Sequence, residues 1–167
     1  TATLLPCGEV LVVGGHDAGS TALFTAERYN PRTGLWRPTG ALKKARWRHT
    51  ATLLRDGRVL VTGGSDGAPL DSAEVYDPVA ETWTELTNKM MMPRLHHTAT
   101  LLPRGQVLLT GGQSSPGSAE LFDPSIDDFN STAASPLVAR DQGFTATLLP
   151  NGRVLIVGGG GDAGGGG

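Results

Sequence analysis

Residues 50–64, Thr-Ala-Thr-Leu-Leu-Arg-Asp-Gly-Arg-Val-Leu-Val-Thr-Gly-Gly, decide the fold. Two short β-rich runs, Thr50–Leu54 and Val59–Thr62, flank Asp56–Gly57. Asp-Gly favours the type I′ turn, whose two central residues both need positive φ, so the stretch reads as a tight β-hairpin. The diglycine Gly63–Gly64 closes the second run and suits a strand end where the chain takes positive φ or approaches another backbone closely. Further on, Glu74-Val75-Tyr76 is followed by Asp77–Pro78, a turn-starting dipeptide, and then by Trp83.

The same text recurs along the chain. Thr-Ala-Thr-Leu-Leu begins at Thr1, Thr50, Thr98 and Thr145, at spacings of 49, 48 and 47 residues. Diglycines follow at Gly14–Gly15, Gly63–Gly64, Gly111–Gly112 and Gly158–Gly159, with the same spacings. The Glu-x-aromatic triplet ends at Tyr29, Tyr76 and Phe122, and a second aromatic follows at Trp36, Trp83 and Phe129. Self-similarity at a period near 48, with four strand signals per period and no 3.6-residue periodicity, implies β-propeller blades.

Each unit thus holds four short antiparallel strands, A to D. The expected organisation is blade 1 over 1–38, blade 2 over 46–86, blade 3 over 94–132 and an A–B half-blade over 140–157. Expected strands in the first unit are Thr1–Leu5, Val10–Gly14, Ala22–Tyr29 and Leu35–Pro38. Residues 158–167, nearly all glycine, have too little side chain to pack and read as a flexible tail.

Composition narrows the function classes. Sixteen acidic and 14 basic residues leave a net charge of −2, which offers no general electrostatic attraction for nucleic acid or an anionic membrane. No run approaches the roughly 20 apolar residues of a membrane-spanning helix. Cys7 is the single cysteine, so no internal disulfide forms. The chain opens inside a strand-like run without an initiator Met or a charged-then-apolar leader, so localisation is unreadable. Closed propellers use about four to eight blades. Three and a half therefore imply a piece of a longer propeller, its ordered portion, or a subunit completed by self-association.

The diglycine, the strand-C Tyr and the strand-D Trp together resemble the Kelch superfamily. Gly63–Gly64, Tyr76 and Trp83 carry the resemblance best, while Phe122 and Phe129 depart from it in the third unit. The resemblance covers nearly the whole chain and implies that the aromatic positions pack between neighbouring blades. It is poorly specific for function, because propellers host binding proteins and enzymes alike.

Candidate site residues lie just before strand A, in the D–A connections. These read Arg46-Trp47-Arg48-His49, Arg94-Leu95-His96-His97 and Arg140-Asp141-Gln142-Gly143-Phe144. The resemblance places strand A innermost, so Arg46, Trp47, Arg48, His49, Arg94, His96, His97 and Arg140 are expected at the lip of the central channel. Guanidinium groups beside aromatic rings suit a carboxylate or acidic peptide. The opposing expectation is that these residues are framework, held by backbone carbonyls or by the strand-C Glu. Galactose-oxidase-like and glyoxal-oxidase-like propellers share the His-Thr-Ala-Thr-Leu-Leu text, with a Tyr-His pair before strand A that binds copper. His96–His97 stands there, with His96 in place of the Tyr, and no counterpart of the Tyr–Cys cofactor is identifiable. The expected function is a non-enzymatic binding or scaffold module without metal or cofactor, and its expected partner is a protein or acidic peptide. The alternatives are a copper-oxidase propeller fragment and a purely structural surface repeat.

Overall fold

The computed structural model describes residues 1–136 and 138–160, and among these there is no helix. Fourteen strands form four sheets, three of four strands and one of two. The first sheet comprises β1 (Ala2–Leu4), β2 (Val10–Val13), β3 (Ala26–Asn30) and β4 (Leu35–Pro38). The second comprises β5 (Thr50–Leu53), β6 (Val59–Thr62), β7 (Ala73–Asp77) and β8 (Thr82–Glu85). The third comprises β9 (Thr98–Leu101), β10 (Val107–Thr110), β11 (Ala119–Asp123) and β12 (Asp128–Ser131). The last pairs β13 (Gln142–Leu148) with β14 (Val154–Gly160). Each sheet is an antiparallel meander in chain order, the arrangement of a propeller blade.

Two boundaries differ by more than one residue from those read in the sequence. The third strand of unit 1 starts at Ala26 rather than Ala22, because the chain first folds back through an isolated His16–Ala22 bridge. At the other end, Gly158–Gly160 belong to β14 and not to a tail, since Phe144 pairs with Gly158 and Gln142 with Gly160. Residues 161–167 lie outside the described residues.

The core lies between the sheets. Tyr76 and Trp83, direct cross-strand partners, pack with Leu5, Leu11, Val13, Ala26 and Leu42 of the first unit. Phe122 and Phe129 likewise pack with Leu54, Leu60, Ala73, Val75, Leu86 and Met90 of the second. In each of the first three units one face is thus aromatic and the other aliphatic, and the two interlock in sequence. Polar tips are also satisfied across the join. Trp83 Nε1 donates to the Gly40 carbonyl at 2.7 Å, and the Tyr76 hydroxyl meets Thr39 Oγ1 at 2.6 Å. In unit 1 the aromatic pair has the same ring separation, 4.9 Å, but no sheet among the described residues covers it. Trp36 is accordingly 54% exposed, against 4% for Trp83, which is packed between units 1 and 2.

The diglycines explain the tight join. Gly63 and Gly64 have φ of 59° and 93°, and a Cβ on Gly63 would sit 2.3 Å from the Arg94 carbonyl oxygen. Only glycine fits, because the Gly64 N–H must reach that same oxygen, at 2.9 Å.

Candidate functional site at the D–A loop face

Each of the first two D–A loops buries its first and fourth residues, Arg46 and His49 or Arg94 and His97. Arg46 faces inward and is fully buried, with Nη1 donating to the Gly63 and Ser72 carbonyls and Nη2 to Glu74 Oε1 at 2.9 Å. Arg94 repeats this with the Gly111 carbonyl, Ser118 Oγ and Glu120 Oε1, the last at 2.6 Å. Glu74 and Glu120 also accept backbone N–H groups of the incoming loop, from Lys43 and Lys44 and from Met91 and Met92. Each Arg–Glu pair therefore ties a loop to its own blade. Arg140 donates to the Gly158 carbonyl in the same way. The expectation that Arg46 and Arg94 line the lip is corrected: both are interior, because their guanidinium forks pair with Glu74 and Glu120 and satisfy the strand-end carbonyls of Gly63 and Gly111. Burial pushes the Arg46 guanidinium below its usual range, with Glu74 opposing the shift.

His49 and His97 are corrected on the same ground. Both are buried, and they join successive blades. His49 Nε2 meets Thr1 Oγ1 at 2.9 Å, and His97 Nε2 meets Thr50 Oγ1 and Thr62 Oγ1, each at 2.9 Å. Burial, with the neighbouring Arg46 adding to it, depresses His49 to about 3. Burial and the neighbouring Arg94 carry His97 well below its ordinary value. Both imidazoles are neutral in the folded protein. In the fourth unit Phe144 occupies this position.

Three of the expected residues remain at the surface and come together. The Arg48 guanidinium carbon lies 3.9 Å from the centroid of the Trp47 ring, a cation–π contact. Arg48 is exposed, and among the described residues its side chain makes no ion pair. The His96 backbone N–H donates to the Arg48 carbonyl at 3.1 Å, which brings His96 of the next unit beside it. Burial, then Arg48, lowers the His96 pKa, and its Nε2 is shielded from solvent without a hydrogen-bond partner among the described residues. Arg48 and His96 hold φ of 56° and 57°, left-handed values that cost a non-glycine residue about 1–2 kcal/mol. The equivalent residue of the fourth unit is Gly143, at 71°.

His16, missed in the sequence reading, completes the cluster: its ring meets Trp47 edge-on at 5.0 Å. Its position directly after Gly14–Gly15, in the B–C connection, was the available signal.

The copper-binding carry-over does not fit these residues. His97 is buried with Nε2 engaged by two threonines, and among the described residues no three His, Cys, Asp or Glu side chains converge as a metal site would require.

Repeated four-stranded sheets joined face to face, with variable loops at one end of the strands, define a β-propeller module. The Kelch motif profile matches residues 2–42 and 46–90, more than half of the chain, and the protein belongs to the Kelch-repeat family. It is 36% identical over 90 residues to a galactose oxidase of Gibberella zeae, covering 53% of this chain and 12% of that one. It is 35% identical over 89 residues to human Kelch-like protein 33, covering 52% and 16%. An Arabidopsis thaliana F-box/kelch-repeat protein is 36% identical over 99 residues, covering 51% and 24%. The chain therefore spans under a quarter of the length of these relatives. Among solved structures, a fungal alcohol oxidase of the AA5 family, in complex with copper, superposes with a TM-score of 0.64 at 23% identity, covering 81% of this chain and 30% of that one. That likeness bears on the fold.

Proposed function

We propose that this chain is a protein-binding module whose ligand face is formed by the D–A and B–C loops, centred on Arg48, Trp47 and His96. The carrying observation is the contrast among the arginines of the D–A loops. Arg46 and Arg94 are buried against Glu74 and Glu120, whereas Arg48 is exposed, with its guanidinium carbon 3.9 Å from the Trp47 ring centroid and its backbone in the left-handed region. A guanidinium ordered on an aromatic ring has lost little further entropy when a carboxylate arrives, which suits an acidic segment of a partner protein. A rigid framework carrying variable loops is where specificity resides. Similarity to Kelch-like and F-box/kelch-repeat proteins supports a binding role. Titration with a pool of Asp/Glu-rich peptides, followed by fluorescence anisotropy, tests it. Saturable, salt-sensitive binding that falls at least about tenfold in Arg48→Ala agrees with the reading. Binding unaffected by Arg48→Ala places the ligand elsewhere.

Self-association belongs to the same reading. The uncovered Tyr29–Trp36 face and the exposed Leu155 and Val157 at the opposite end are the two halves of the interface that joins units 1 and 2. Sedimentation velocity over a range of concentrations reads it directly: a species that stays monomeric throughout argues against it.

A further inference from the structure

The opposite end of the strands, where the A–B and C–D turns lie, carries a second charged constellation independent of the face proposed above. A cavity of about 500 Å³ is lined by Cys7, Glu9, Arg28, Asn30, Arg32 and Arg37, with Gly8 and Pro31. That volume falls within the range of small-molecule sites.

Register shows how unusual these residues are within the repeat. Arg28 on β3 pairs with Leu11 on β2, and the equivalent partners of Leu60 and Leu108 are Val75 and Leu121. A position filled by an aliphatic residue in units 2 and 3 is thus given to an arginine that is 5% exposed. Arg37, cross-strand from Arg28, stands where Thr84 and Asn130 stand, and Arg32 follows Pro31 as Val79 and Ser125 follow Pro78 and Pro124. Architecture repeats, and these three arginines do not. Burying a charge at a core position carries a desolvation cost that a valine would avoid.

The partners show what is left over. Arg28 Nε donates to Glu9 Oε2 at 2.6 Å, and Nη1 donates to Glu81 Oε1 at 2.9 Å and to the Pro78 carbonyl at 3.0 Å. Among the described residues the hydrogen bond made by its Nη2 is to Cys7 Sγ, at 3.2 Å, and a thiol sulfur is a weak acceptor, while the Tyr76 side chain also favours the charged guanidinium. Arg37 shares Glu9 and Glu81. Arg32 makes no ion pair among the described residues. Three guanidinium groups against two carboxylates leave one positive charge at the cavity.

We propose that this cavity binds the carboxylate of a small monocarboxylate ligand, held by Arg32 with Arg28 Nη2 and Arg37. A single surplus charge matches a monoanion, and Glu9 and Glu81 oppose a dianion such as phosphate. The planar fork of arginine matches a planar carboxylate.

Benzoate and acetate serve as probes, with inorganic phosphate as a separate arm, and binding is read from the arginine Nε–H resonances. A second reading uses the rate of Cys7 alkylation, clean because Cys7 is the single cysteine. The expected result is saturable carboxylate binding that shifts the Arg28 and Arg37 signals and slows alkylation. Arg32→Ser, which installs the residue that unit 3 has in this turn, weakens binding at least tenfold with an unchanged melting temperature. Arg28→Val, the residue of unit 2, does the same to binding, while a circular dichroism spectrum like the parent's shows that the sheets persist. Carboxylate shifts that do not saturate, binding indifferent to Arg32→Ser, or phosphate binding tighter than either carboxylate overturns the proposal.

Discussion

Arg46 and Glu74 form an ion pair in which neither side chain reaches solvent, with Nη2 and Oε1 2.9 Å apart. The pair fastens a D–A loop to its blade, because Glu74 also holds the Lys43 and Lys44 N–H groups. Removing one partner leaves a buried charge and several unpaired dipoles. Arg46→Ala is expected to destabilise the protein by about 3–5 kcal/mol. Urea denaturation checks this; a loss under about 1 kcal/mol would show that the pair is not a fastening.

Arg48 is expected to behave oppositely. Its φ of 56° is strained for arginine, and the fourth unit has Gly143 there. Arg48→Gly should leave stability unchanged or raise it by up to about 1 kcal/mol, the relief of the left-handed strain being offset by glycine's greater unfolded-state entropy. Loss of acidic-peptide binding at undiminished stability, measured on one preparation, separates recognition from folding. A fall in melting temperature would mark Arg48 as framework.

Trp83 and Trp36 occupy the same repeat position with opposite exposure. Trp83→Ala should cost about 3–5 kcal/mol, since it empties a packed inter-blade site and strands the Gly40 carbonyl. Trp36→Ala should cost well under half of that in the monomer. Equal melting-temperature losses for the two variants would contradict the interlocking faces.

Acid should loosen the blades. His49 and His97 titrate below their unfolded value of about 6.5, so the unfolded chain binds protons that the folded one does not. Stability is therefore full above about pH 6.5 and falls as the pH drops from there toward about 3, the value of His49. His97→Phe, which imports the Phe144 solution of the fourth unit, should flatten that slope in chemical denaturation. An unaltered slope would assign the acid sensitivity to other groups.

Much of this was legible from one line of text. Spacing of Thr-Ala-Thr-Leu-Leu, Asp-Gly and the diglycines marked hairpins and blades, since β-turn chemistry is local and each signal needs only its neighbours. The site was less legible. Arg46 and Arg48 are two residues apart with the same side chain, yet one is wholly buried and the other exposed. Composition could not separate them, because the separation depends on Glu74, 28 residues away from Arg46.

The sequence by itself determined the β class, the four-strand unit, its period and the places where backbone must turn or approach closely. Those follow from steric limits on φ and from alternation, which short segments carry within themselves. Tertiary structure alone decided which repeated residue is framework and which is free. It set Arg94 on Glu120, His97 on Thr50 and Thr62, Trp36 in the open and Arg28 beside Cys7. Each of those outcomes turns on what one blade presents to the next, and burial and charge pairing are properties of that meeting.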